Sequence, residues 1–246
     1  MKVPAIGVLF WVIKVLTTGM GEAASDFMAK LFLPLAALVG LFGFWYALKR
    51  QLRAPRYSAP TYWFAVAMVA VFGTMAADAV HILFLAPYPV TTTLYGAATA
   101  AALIVWYRSE GTLSIHSITT TRREIFYWTT VLATFALGTA AGDLTAATLH
   151  LGFFGSGLLF AGAIAVPAIA WWKFNLNPIV AFWTAYVLTR PLGASFADWL
   201  GKPHNFAGHG LGYGDGVITA AAIVLIVGCV YYLARTERAA VTPAAA

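Results

Sequence analysis

Asp26, Asp78, Asp143 and Asp198 each follow a tryptophan by 15 residues, the tryptophans being Trp11, Trp63, Trp128 and Trp183. Ten residues after each tryptophan stands a glycine (Gly21, Gly73, Gly138, Gly193), so the chain carries W-x9-G-x4-D four times without a gap. Self-similarity of this kind marks tandem structural units. Small residues fill the interval before each aspartate: Ala23, Ala24 and Ser25, then Ala76 and Ala77, then Ala140, Ala141 and Gly142, then Ser195 and Ala197. Such residues let helices approach closely. Four carboxylates delivered at one register could bind a cation, carry protons, or cap and pair helices.

On a helix, positions 3, 7, 11 and 15 after the tryptophan stack along one face. That face reads Lys14, Thr18, Glu22 and Asp26 in the first copy, and Val66, Ala70, Thr74 and Asp78 in the second. In the third it reads Val131, Phe135, Thr139 and Asp143, and in the fourth Tyr186, Arg190, Ala194 and Asp198. A charge at bilayer depth costs roughly 2.5–3.5 kcal/mol on insertion scales, so such residues face the protein interior and pair. The expected pairs are Lys14 with Glu22 or Asp198, and Arg190 with Asp26. Five carboxylates (Glu22 and the four aspartates) against Lys14 and Arg190 leave a formal −3. A dry interior does not hold that many unpaired anions. The reading is therefore an ion-binding set of Asp26, Asp78, Asp143, Asp198 and Glu22, with Lys14 and Arg190 as counter-charges and Glu22 as the proton-coupling candidate.

Histidines extend the argument. His81 follows Asp78 by three residues and His150 follows Asp143 by seven, which puts each pair on one face of a continuing helix. Carboxylate with imidazole suits Mn²⁺, Fe²⁺, Co²⁺, Ni²⁺ or Zn²⁺, although the spacing matches no zinc signature. Met20 and Met75 read as packing rather than soft-metal ligands. The alternating glycines of 208–216 read as an outer loop, with Asp215 a candidate oxygen over the cluster. Lone Cys229, in an apolar run, reads as a small buried hydrophobe.

The elements that must position these residues are membrane helices. Of the 246 residues 61% are apolar and 10% charged, and mean hydropathy is +0.79. Soluble domains average about 25% charged residues. Hydropathy predicts spans at 4–27, 29–48, 61–80, 87–107, 125–147, 153–172, 177–200 and 215–234. The N-terminal stretch is not read as a removable leader, because Lys14 interrupts its apolar run and its pattern recurs downstream. With those spans, 11 of the 15 Lys plus Arg fall on one side. This predicts both termini in the cytoplasm and an even number of crossings. The net charge of +6 thus reflects topology, with the lipid bilayer as partner and no nucleic acid. Each aspartate comes ~17–22 residues into its span, or ~26–33 Å, near the outer edge of the bilayer.

The four W-x9-G-x4-D units, with the first-copy segment Lys14-Val-Leu-Thr-Thr-Gly-Met-Gly-Glu22-Ala-Ala-Ser-Asp26, resemble a bacterial membrane-anchored protein family defined by a tandem "repeat of unknown function". The resemblance implies a multi-pass repeat protein and assigns no activity.

The expected fold is an all-α polytopic bundle in one transmembrane domain, 1–246. It comprises about eight helices from four parallel two-helix repeats, near 4–56, 57–120, 121–175 and 176–238, with the odd helices around a central cavity and the even helices outside. No nucleophile elbow, P-loop, HExxH or CxxC occurs, which favours a non-enzyme. Cytoplasmic loops of at most ~12–17 residues are too short for an ATPase. The leading expectation is a secondary transporter or channel of the cell inner membrane for a small cation, foremost a divalent metal exchanged for protons; a bound divalent metal ion is also the candidate cofactor. The alternatives are a membrane-embedded metal- or haem-binding enzyme and a structural or accessory membrane protein. A homo-oligomer is compatible with each.

Overall fold

A computed structural model describes residues 2–205 and 209–241. Gly208, the first of the alternating glycines, and the side chain of Arg238, counted above among the basic residues, lie outside the described part. Among the described residues the chain is all-α, with seven long helices and no strand: α1 (Val8–Arg53), α2 (Ala59–Phe84), α3 (Tyr88–Glu110), α4 (Thr121–Asp143), α5 (Gly152–Phe174), α6 (Pro178–Gly201) and α7 (Asp215–Val241). Six of them, all but α6, are long and apolar enough to cross a membrane.

The count of seven differs from the expected eight because α1 runs through the first two predicted spans. It is not straight. Phe32 is extended (φ −165°, ψ 100°) and Pro34 follows it. Proline supplies no N–H and is tolerated in the first turn of a helix, so Phe32 ends one helical arm and Pro34 opens the next. A straight helix of this length would separate its ends by ~69 Å. Instead the chain returns on itself: Lys2 Nζ donates to Leu52 O (3.0 Å) and Gln51 Nε2 donates to Lys2 O (3.3 Å).

Inner and outer helices separate clearly. The first arm of α1, α2, α4 and α6 form a closed ring in which each touches the next and α6 returns to α1. The glycines at position 10 set the spacing. A Cβ built on Gly21 would lie 2.8 Å from Ala70 C, on Gly73 2.9 Å from Phe135 Cβ, on Gly138 2.9 Å from Pro191 Cδ beside Arg190, and on Gly193 2.8 Å from Val15 O, near Thr18. Ala70, Phe135, Arg190 and Thr18 all occupy position 7. Each glycine therefore seats the next helix at the same register, and the fourth glycine closes the ring on the first helix.

The second arm of α1 packs on α2, with Phe44 stacked on Phe72 at 4.7 Å. Likewise α3 packs on α4, α5 on α6 and α7 on α1. These outer helices leave apolar side chains facing outward: the most apolar window of α7 is only 6% buried. A surface of this kind is stable against lipid, where apolar exposure costs nothing.

The tryptophan end of the ring is solid. Trp63, Trp128 and Trp183 are buried and Trp11 half-buried. An aromatic residue precedes each of them: Phe10, Tyr62, Tyr127 and Phe182, all buried. The Tyr62 and Tyr127 hydroxyls hydrogen-bond one another. Beneath them Lys2 pairs with the fully buried Glu124 (2.7 Å), which also accepts from Gln51 Nε2 (2.8 Å). The expected cavity along the ring axis is thus confined to the aspartate end.

Candidate functional site

The site rises from Arg190 on α6, which is fully buried and touches every other helix of the ring. Its Nη2 donates to Glu22 Oε2 on α1 (2.6 Å) and to Thr139 Oγ1 on α4 (2.8 Å), with Thr74 Oγ1 of α2 around the same nitrogen. Its Nη1 donates to Thr18 O (3.4 Å). Both threonines spend their own protons on the preceding turn, Thr74 on Ala70 O (2.9 Å) and Thr139 on Phe135 O (3.1 Å). Their oxygens therefore present lone pairs to the guanidinium, and back-bonding of this kind makes a hydroxyl a pure acceptor. Glu22, Thr74 and Thr139 all occupy position 11, and the fourth copy has Ala194 there. The position 11 layer is a socket for one arginine.

Lys14 is also buried, but the expected pairing with Glu22 or Asp198 does not form. Its ammonium lies 4.1 Å from the centroids of both the Phe135 and Tyr186 rings and makes no hydrogen bond. Phe135 meets Arg190 as well, at 5.5 Å. The reason is depth: position 3 lies two turns nearer the tryptophans than position 11. A desolvated cation over an aromatic face recovers about 2 kcal/mol.

Beyond Arg190 the ring opens into a cavity of about 560 Å³. Glu22, Asp26, Asp78, Asp143 and Asp198 all line it, so the four repeat-related aspartates and Glu22 are brought together. One oxygen each from Glu22, Asp26 and Asp198 lie within 4.8 Å of one another, a spacing that a metal ion could bridge. Lys202 also lines the cavity; its ammonium pairs with Asp26 and stands 3.7 Å from Asp198 Oδ1. The expected Arg190–Asp26 pair is thus replaced by Arg190–Glu22 and Lys202–Asp26. Asp78 and Asp143 make no ion pair or side-chain hydrogen bond among the described residues, and both face the cavity half-buried.

His81 lines the cavity too, its ring stacked on Tyr88 (4.2 Å, 10°). Its Nδ1 lies 2.7 Å from Ala86 O; a carbonyl only accepts, so Nδ1 donates this hydrogen bond. His150 is not brought in. The shared face with Asp143 required a continuing α-helix, but the chain widens into a π turn over Leu144–Thr148. His150 is exposed beyond it with φ 56°. Asp215 pairs with Lys30 rather than joining the cluster.

Sequence reasoning missed Lys202, which falls between the predicted spans 177–200 and 215–234. Carrying the stripe four residues past the aspartate finds it: position 19 is Lys30, Ile82, Ala147 and Lys202 in the four copies.

The model of a family described as Repeat of Unknown Function (DUF347) matches residues 61–112, 126–176 and 181–239, more than half of the chain. The chain belongs to that family. No curated protein and no solved structure matches it. The three DUF347 stretches cover α2 with α3, α4 with α5, and α6 with α7. Each therefore supplies one ring helix and the outer helix that packs on the next ring member. The unmatched N-terminal arm carries the same tryptophan, glycine and aspartate and completes the ring.

Proposed function

We propose that this DUF347 chain is a membrane transport protein for a cation, with Asp26, Asp78, Asp143, Asp198 and Glu22 as its binding set and Arg190 and Lys202 as internal counter-charges. The observation that carries the reading is the convergence of all five carboxylates on one cavity. Structural ion pairs need two groups, and among the described residues Asp78 and Asp143 make no ion pair. The packed aromatic base supports a carrier over an open channel, since a permeating ion would have to pass Phe135, Lys14 and the tryptophan layer.

The break at Phe32 supports eight crossings grouped as four two-helix repeats. The basic loops share an end with Lys2, which supports an inner-membrane protein with both termini in the cytoplasm. On that reading the cavity opens away from the cytoplasm, with Glu22 at its base held by Arg190. A divalent metal exchanged for protons is the first cargo to test.

A second reading has its own observation: the Arg190–Glu22 and Lys202–Asp26 pairs hold helices in register without any cargo. Proteoliposome flux separates the two. Under the transport reading Asp78→Asn and Asp143→Asn abolish cation flux and leave the amount of folded protein normal. Equal flux from both variants, or no flux of any cation by the parent protein, would overturn it.

A further inference from the structure

The four copies differ at position 19, and the difference describes a ligand. In the fourth copy Lys202 follows Asp198 by four residues and lays its ammonium between Asp198 and Asp26. The cavity already contains, in part of its carboxylate set, a primary ammonium on an alkyl chain. Copies two and three have Ile82 and Ala147 at the same register. Both line the cavity, beside Asp78 and Asp143.

Those two aspartates thus lack the built-in ammonium, and the wall where its stem would lie is apolar. A second sign is Asp198, 5% exposed, which lines the same cavity and whose Oδ1 stands 3.7 Å from the Lys202 ammonium without a hydrogen bond among the described residues. The size agrees. A bare metal ion needs only a few oxygens at about 2.0–2.6 Å, whereas about 560 Å³ falls within the range of pockets that enclose organic molecules, roughly 300–1,000 Å³, apolar with a few placed polar groups.

We propose that the cation taken up in this cavity is an organic ammonium ion. Its nitrogen rests on Asp78 and Asp143, and its alkyl body rests on Ile82 and Ala147, where the other copies carry lysine. The Tyr88 ring, held by the His81 stack, is an aromatic wall for the same cation. This rests on the cation-binding reading above and names its substrate class; it replaces a metal as the cargo.

The test uses the full chain in dodecyl maltoside, a detergent without an amine. Melting temperature and calorimetric titration are read with n-hexylammonium, with n-hexanol as the uncharged isostere, and with Mn²⁺ or Zn²⁺ alone. A ligand that binds the folded state raises its stability. Hexylammonium is expected to give a saturable upward shift that hexanol does not, and Asp78→Asn with Asp143→Asn removes it. Because that double variant could fail to fold, Ile82→Lys is the second arm. It gives copy two the lysine of copy four, at the same four-residue offset from its aspartate, and is expected to weaken hexylammonium binding at least about tenfold while melting no lower than the parent. Aspartate-dependent shifts with Mn²⁺ or Zn²⁺ and none with hexylammonium would overturn the organic cation and keep the cation reading. No shift with any cation would overturn both. Unchanged hexylammonium affinity in a folded Ile82→Lys variant would overturn the assignment to Asp78 and Asp143.

Discussion

At the tryptophan end of the ring, four aromatic pairs fill the axis, and one buried lysine, Lys2, meets one buried glutamate, Glu124. At the aspartate end, five carboxylates face a cavity and share Arg190 and Lys202. The same four helices build both ends, at the same registers. What differs is how far the copies have diverged. Position 0 is tryptophan and position 10 is glycine in every copy, because closing a ring of four asks the same thing of each member. Positions 3, 7, 11 and 19 differ among copies, because an axial site needs only one arginine or one lysine where four would repel. Uniform positions build the ring, and broken symmetry builds the site.

The largest expected effect lies at the boundary between the two ends. Arg190→Leu leaves Glu22 buried without its cation, and breaking a buried pair costs about 3–5 kcal/mol. The variant is expected to show a steep fall in melting temperature, with Glu22→Leu/Arg190→Leu recovering much of it. A double variant no better than the single would mean that the threonine contacts, rather than the charge pair, hold the ring. Next comes the spacing device. Gly193→Ala places a methyl group 2.8 Å from Val15 O and 2.9 Å from Gly19 N, both backbone atoms, and overpacking costs about 1–3 kcal/mol. Gly162, with nothing within 4 Å of a built Cβ, is the control: Gly162→Ala is expected to melt at or above the parent, since alanine is the better helix former.

The ring and its carboxylates were legible from sequence because they repeat: W-x9-G-x4-D gives register without any coordinates. The side-chain partners were harder to read. Stripe logic places Lys14 and Arg190 on one face with the acids and sets Lys14 two turns below Glu22, but it does not say that Phe135 and Tyr186 flank the Lys14 ammonium. It also stops at position 15, one turn short of Lys202. His150 was misplaced for a different reason: a period of 3.6 assumes that the helix continues, and a π turn after Asp143 breaks it. The join of the first two predicted spans into one kinked element hinged on Pro34, which permits a break and a restart with a single extended residue between them.

Smaller effects separate the ends more sharply. Tyr62→Phe removes one buried hydroxyl–hydroxyl hydrogen bond in the tryptophan layer. It is expected to cost about 1 kcal/mol, visible as a small drop in melting temperature, with cation binding unaltered. Asp143→Asn is expected to do the reverse. The side chain keeps its shape, faces the cavity and has no ion-pair partner among the described residues to strand, so the stability of the ligand-free protein, read from its melting curve, should stay within about 0.5 kcal/mol of the parent. Its consequence appears only when a cation is added, as a lost or reduced upward shift. If Asp143→Asn instead lowered the ligand-free melting temperature as much as Arg190→Leu does, the aspartate end would be a structural clamp like the base, and the contrast between the two ends would disappear.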